Sequence, residues 1–443
     1  MYEQEFKLIF DYAKDKVDDI EILYSGGNAF TVSINQQEIE GFNHANSAGI
    51  GVRVLKDGKQ GYSYSEKIEA QALKNMVDEA VENAEASEDV EDVEMANYPE
   101  VENKPDVYSE KLEQVSVEDK VQFAKDMEKY ALKADERIMN VPNAVMGSVK
   151  SFVKIANSKG LNKEDMQNQA YCFVSALVSA NDDKRMGMDY HIGRDFSQFD
   201  AQKLGQTAVK KATDLLGGVE AKSGEYAVLF SNDMMCSLLE TFSGVFSAKA
   251  VHEGRSLLKG KLDKKIAAEN VNIIDDGLYP GGFATTAFDS EGYPAQTTKL
   301  VDKGILKTYF HNTITAKKDG VKSTGNAARG IKSSLTVAPT NFYLEAGKMK
   351  EKELLAKHDK VIKIVSLQGL HSGANPVSGD FSLSAEGFLY ENGKLKTSLK
   401  QFTVSGNFLQ MLSDIEAIAD NFQFNTSSVG SASALVKKLA ISG

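Results

Sequence analysis

The sequence of 443 residues has no Trp, two Cys, six His and seven Pro. Cys172 and Cys236 each sit inside an apolar stretch, so paired disulfides are not the framework and a reducing compartment fits best. No apolar run approaches the ~18 residues of a membrane-spanning helix. No Lys/Arg block stands out against a formal net charge of -12, which disfavours a grip on nucleic-acid phosphates. No GxGxxG follows a strand and no Walker A loop is present, so there is no nucleotide fingerprint. No repeat recurs at a fixed period. His44, His191, His311 and His358 are scattered without a partner at metal-ligand spacing. The lack of Trp excludes nothing.

What is present is ordinary for a globular chain, with 42% hydrophobic and 26% charged residues. At ~150 residues per domain the length suggests two or three domains. Phe6, Ile9, Phe10, Ala13 and Val17 fall at helical spacing, which predicts an amphipathic surface helix and not a secretory leader. EILYS and FTVSINQQEIEGF read as strands, and GIGVRVLKDGKQGYSYS reads as a hairpin around Lys56-Asp57-Gly58-Lys59. Leu73, Met76, Val77, Ala80, Val81 and Ala84 restore helical spacing. From about 85 to 110, Glu88, Asp89, Glu91, Asp92, Glu94, Glu100 and Glu102 with Pro99 and Pro105 predict an exposed acidic connection. Ser116 to Asp119 reads as a capping-box start of a helix, followed by strands at VKSFVKIANSKG and AYCFVSALVSA. A further helix over Phe199 to Leu216 stops at Gly217-Gly218, where the domain boundary is placed. The second half has hairpin signals at Asp302-Lys303-Gly304 and Asn392-Gly393 and one helical stretch from Asp233 to about Ala250. The fold class expected is α+β. Residues 1–218 form an α/β domain with an antiparallel sheet and flanking helices, and 219–443 a mostly antiparallel β domain with a few helices.

Three constellations invite chemistry. His252-Glu253 begins like a zinc helix, but Ser256 and Leu257 stand where HExxH or HExxxH needs a second imidazole, so it is a near-miss. The Gly369–Phe381 loop gathers His371, Asn375, Ser378 and Asp380. It can serve as a structural turn, a peptide-contacting loop, or a Ser-His-Asp hydrolase if the three groups converge, although no G-x-S-x-G elbow surrounds Ser378. Lys322–Gly330, with Asn326 and Arg329, offers a small polar loop suited to an anion or a peptide carboxylate. These residues alone name no reaction.

Their order does. NSKG at Asn157, HIGRDF at His191, FDSEGYPAQ at Phe288, VDKGILKTYF at Val301, KSTGNA at Lys322, HSGANPVSGDFS at His371 and VSGNF at Val404 together resemble the TldD/PmbA family over nearly the whole chain. The resemblance implies a cytoplasmic, dimeric protein of two domains, from a family long labelled modulator of DNA gyrase. In that family a TldD-type subunit carries an HExxxH zinc helix and a late Cys ligand, and a PmbA/TldE-type subunit pairs with it to cleave peptides or unfolded chains. By position, Phe242–Leu258 corresponds to the zinc helix, yet neither its ligands nor a Cys near NTSSVGSA is present. The chain is therefore similar to the PmbA/TldE side: no metal of its own, zinc only in a TldD-type partner, and hydrolysis dependent on that partner. His371, Asn375, Ser378, Asp380, Asn326 and Arg329 are the expected peptide-binding residues. The alternative is a homodimeric peptide-binding or regulatory module without hydrolytic activity.

Overall fold

Long alternating stretches of apolar and polar residues build the first sheet. The computed structural model describes residues 2–88 and 93–443. Helix α1 (Glu3–Ala13) leads into β1 (Asp19–Asn35), β2 (Glu38–Lys56) and β3 (Lys59–Ser65), followed by α2 (Ala70–Glu85). After a connection come the short α3 (Glu110–Glu113), α4 (Val117–Leu132), β4 (Ile138–Asn157), β5 (Asn162–Ala180), β6 (Asp183–Gly193) and α5 (Ala201–Thr213). The six strands form one antiparallel sheet in the order β3-β2-β1-β4-β5-β6.

Side chains alternate between the two faces of a strand, and here one face carries two apolar clusters. Ile22, Val52 and Val54 pack under α1 and α2, while Phe30, Val32, Met146 and Val174 pack under α4 and α5. All these helices thus lie on one face. The second half of the chain meets the sheet's other face where Leu23, Ile155 and Leu161 contact Ala287 and Phe288, and it also reaches β6, where the Tyr190 hydroxyl donates to Asp233 Oδ1 at 2.9 Å.

The expected strands EILYS and FTVSIN are a single strand through Gly26-Gly27, and the true hairpin turn is Gln36-Gln37. Gly27 is required there because a Cβ would stand 2.1 Å from the Lys150 carbonyl oxygen on the neighbouring strand. Gln36 and Gln37 adopt φ of 53° and 64°. The cost of that left-handed backbone is offset by Glu128 of α4, whose carboxylate accepts both turn N–H groups at 2.7 Å. The KDGK hairpin and the Ser116 cap stand as expected, whereas α5 ends at Thr213, short of the expected Leu216, and Gly217 at φ 71° lies in the turn that follows.

The acidic connection is less free than its composition predicts. Asp89, Glu91 and Asp92 lie outside the described residues. Of the rest, Glu94, Glu100 and Glu102 are exposed, but Met95 and Val107 are buried and Tyr98 packs against Tyr293, ring centroids 5.1 Å apart and planes tilted by 58°. Apolar residues spaced among the acids anchor the segment.

The second half continues with β7 (Gly224–Phe230), α6 (Asn232–Phe242), α7 (Ala248–His252), β8 (Ile273–Asp276), β9 (Thr297–Asp302), β10 (Ile305–Leu306) and α8 (Thr313–Asp319). Then come β11 (Ala327–Ala328), β12 (Thr336–Val337), β13 (Phe342–Leu344), α9 (Glu351–Leu354), β14 (Lys360–Gln368), α10 (Leu370–Gly373), β15 (Asp380–Glu391), β16 (Lys394–Asn407) and α11 (Phe408–Ser413). It closes with β17 (Ile415–Ile418), β18 (Gln423–Phe424), β19 (Val429–Ser431) and β20 (Ala434–Ser442). Two six-stranded sheets, β16-β15-β14-β7-β20-β17 and β10-β9-β8-β13-β19-β18, enclose the largest apolar core. Most pairings are antiparallel, with parallel exceptions at β7–β14 and β13–β19. The α+β class holds in both halves. Among the described residues no helix is long and apolar enough to cross a membrane.

Candidate functional site

The loop after β14 is shaped by its own amide. Asn375 Oδ1 accepts the N–H groups of Val377 at 2.9 Å and Ser378 at 3.3 Å, and the Asn375 N–H donates to the Asp380 carbonyl at 2.8 Å. Gly369 and Gly379, at φ of 81° and 83°, supply the left-handed bends. His371, Asn375, Ser378 and Asp380 are all exposed, as is Val377. Asp380 accepts from Asn407 Nδ2 at 2.9 Å, and that bond, together with Ser378, holds its carboxyl below the usual carboxylate range. The His371 imidazole makes no hydrogen bond among the described residues, so no Ser-His-Asp relay is assembled here. What the loop presents is exposed side chains on a turn whose own main-chain N–H groups are mostly taken up within it.

Asn326 and Arg329 lie elsewhere and face inward. Asn326 Nδ2 donates to Asp275 Oδ2 at 2.7 Å and to the Ala338 carbonyl at 3.0 Å. Burial pushes Asp275 up to about 6, even though Asn326 and Thr340 donate to it. Arg329 Nη2 donates to Glu21 Oε1 at 2.7 Å, Arg53 Nη2 donates to Glu21 Oε2 at 3.2 Å, and Arg53 Nη1 reaches Glu291 Oε1 at 3.3 Å. Each of these four side chains is at most 2% exposed. Burial works against the Arg53 charge, but Glu21 and Glu291 outweigh it and raise its pKa. Asp289, beside Glu291, accepts the N–H groups of Glu291, Tyr293 and Ala327, tying the FDSEGYPAQ segment to the KSTGNA loop. Sequence reasoning named Arg329 but missed Glu21, Arg53 and Glu291. The available signal was a charge of each sign at core spacing, Glu21 inside DIEILY and Arg53 inside GVRVL.

The segment expected as one helix over Phe242–Leu258 is broken. After α6 it tightens into a 3-10 turn over Ser243–Phe246, then α7 runs only to His252, and Gly254 at φ 69° ends it. Ser256 donates its hydroxyl to the Val245 carbonyl at 2.5 Å and accepts the Leu258 N–H, folding the chain back. His252 Nε2 bonds Asp319 Oδ1 at 2.7 Å, and Glu253 pairs with Arg255. The buried His311 approaches the same carboxylate at 3.9 Å, with burial pushing its imidazole down. Among the described residues no group of three or more His, Cys, Asp and Glu is arranged to hold a metal ion. The donors present do not fit a His-Glu-His zinc helix: the segment supplies one imidazole, already engaged by Asp319.

Sequence models of the PmbA/TldA metallopeptidase match three successive stretches: domain 1 over residues 20–84, the central domain over 110–216 and the C-terminal domain over 223–443. The chain belongs to the PmbA/TldD family. An uncharacterized protein of Methanocaldococcus jannaschii is 29% identical over 408 residues, covering 91% of this chain and 92% of that protein. A metalloprotease PmbA homolog of Haemophilus influenzae is 27% identical, covering 96% and 92%. Among solved structures, a candidate modulator of a DNA gyrase from Thermotoga maritima superposes with a TM-score of 0.93 at 29% identity, covering 100% of both chains. TldE from Thermococcus kodakarensis superposes with a TM-score of 0.91 over 99% of this chain and 100% of that one, and at 22% identity shares the fold.

Proposed function

We propose that this PmbA/TldD-family chain is the PmbA/TldE-like subunit of a TldD/TldE-type metallopeptidase complex, cytoplasmic, acting on peptides or unfolded chains and carrying no zinc itself. The observation behind this reading is the interrupted Phe242–Leu258 segment, in which His252 is held by Asp319 and the backbone turns away where a second imidazole would stand. Zinc then belongs to a TldD-type partner, which would supply the water-activating metal. This chain would add binding surface through the exposed side chains of His371, Asn375, Ser378 and Asp380 on that loop. Asn326 and Arg329, away from that loop, would act structurally by holding Asp275 and Glu21. In the same reading the chain divides near residue 218 into an N-terminal domain and a metallopeptidase-like C-terminal domain.

Metal analysis of the isolated chain, followed by casein and peptide hydrolysis with and without a TldD-type chain, tests the proposal. The expected result is substoichiometric zinc, no hydrolysis by the chain alone and hydrolysis by the mixture. Stoichiometric zinc together with activity of the lone chain would overturn it.

A further inference from the structure

Four aromatic rings of the second half gather outside the apolar cores. Tyr279 lies in the turn after β8, Tyr343 on β13, and Phe422 and Phe424 at the edge strand β18. Between β13 and β18 runs β19, whose Gly430 pairs in register with both Tyr343 and Phe424. A Cβ on Gly430 would stand 2.6 Å from Phe422, 2.8 Å from Phe424 and 2.9 Å from Tyr343, so the missing side chain is what lets the rings close together. They meet edge to face, with centroids 4.9 Å apart for Tyr279 and Phe424, 5.1 Å for Phe422 and Phe424, and 5.6 Å from Tyr343 to both Tyr279 and Phe422. All four are half-buried, and none belongs to any of the four apolar clusters. A contiguous aromatic patch left partly in water marks a contact surface.

The patch is one-sided in charge. Burial pushes the Tyr343 hydroxyl up to about 12, and Asp276, Tyr279, Glu345 and Asp275 add to the push, three of them carboxylates and none a cation. Asp276 accepts the Leu278 N–H and the Thr297 hydroxyl on Oδ1, and Glu345 accepts from Asn272 on Oε2, which leaves the other oxygen of each without a donor among the described residues. Six rings elsewhere each have a lysine over them, but among the described residues no cation lies over these four. Arg194 approaches from the end of β6, held by the Val107 and Gly282 carbonyls.

We propose that this patch is a subsite for a cationic side chain, a lysine or arginine of an extended peptide. Its aliphatic stem would lie on the rings of Tyr279, Tyr343, Phe422 and Phe424, and its charge would meet their negative faces and the open oxygens of Asp276 and Glu345. A flat aromatic surface alone would hold an aliphatic side chain as well. Carboxylates beside it with no compensating cation favour the one class of side chain that brings positive charge. The choice of a peptide as ligand rests on the function proposed above, whereas the choice of a cation rests on the patch itself.

Fluorescence polarisation on the full chain is the test, with capped, labelled Gly-Ser peptides that carry lysine, norleucine or glutamate at the same positions. The lysine peptide is expected to bind roughly fivefold or more tighter than the norleucine one, with glutamate weakest, and its advantage should shrink as salt rises. Tyr279→Leu and Tyr343→Leu keep apolar bulk but remove a ring, and each should erase most of the lysine preference. Glu345→Gln, at an exposed position, removes a charge and keeps an acceptor for Asn272, so it still reports if a ring variant fails to fold. It should reduce the preference at least about twofold. Circular dichroism and thermal midpoint check folding. The proposal is overturned if norleucine binds as tightly as lysine, if none of the three peptides binds, or if the lysine preference survives all three substitutions. Absence of hydrolysis by the mixture with a TldD-type chain would instead strike the peptidase reading and leave a measured lysine preference standing, so the two fail separately.

Discussion

At Asp275 a fully buried carboxylate accepts from Asn326 and Thr340, and burial still carries its pKa to about 6. In the unfolded chain the same group titrates near ~3.9. The folded state therefore favours the protonated form. That contribution is fully present below about pH 4 and is lost as pH rises through about 6, a change on the order of 3 kcal/mol. Asp275→Asn removes the titration. In urea unfolding the wild type should lose about 3 kcal/mol relative to Asp275→Asn between pH 4 and pH 7. A difference that stays flat across that range would mean the carboxylate is not the titrating group. Asn326 is then a donor serving Asp275, a role its place in a polar Gly-rich loop did not reveal.

Among the elements, the two hairpins β1–β2 and β2–β3 show where sequence reading stops and where it succeeds. Lys56-Asp57-Gly58-Lys59 was legible because Asp57 and Gly58, at φ of 52° and 76°, are residues that tolerate the left-handed region. Gln36-Gln37 was not, since its conformation is imposed from a distance by Glu128, 91 or 92 residues along the chain. Glu128→Ala should cost about 2 kcal/mol by losing two charge-assisted bonds to the turn, and amide exchange should quicken first at Gln36 and Gln37. An unchanged unfolding midpoint would show that the turn holds itself. The same distinction applies to the candidate site. The Asn375 turn follows from local residue types, whereas the break after His252 depends on Ser256 reaching back to Val245 and on Asp319 arriving from α8. The family signature was readable, but its division of labour was not. FDSEGYPAQ and KSTGNA, which carried the resemblance, hold the chain's interior together through Asp289 and Glu291.

For the whole molecule, Glu21, Arg53, Glu291 and Arg329 join the first sheet to loops of the second half. Removing one member of such a buried set leaves its partners charged and unpaired, at roughly 3–5 kcal/mol. Arg329→Ala should lower the urea midpoint accordingly, and hydrogen exchange should rise together at β1 and at residues 289–293. Exchange rising in only one of them would show that the two halves open independently. Arg329 and Glu21 are 308 positions apart in the chain, and Arg53 and Glu291 are 238 apart. A ribosome adding ~5–20 residues per second releases Glu21 tens of seconds before Arg329, the second of its cations, exists. β20, the final strand, then seats between β7 and β17. The nascent N-terminal sheet must therefore wait for Glu291 and Arg329 with only the Glu21–Arg53 pair made, and the second half closes only after β20 has been synthesised.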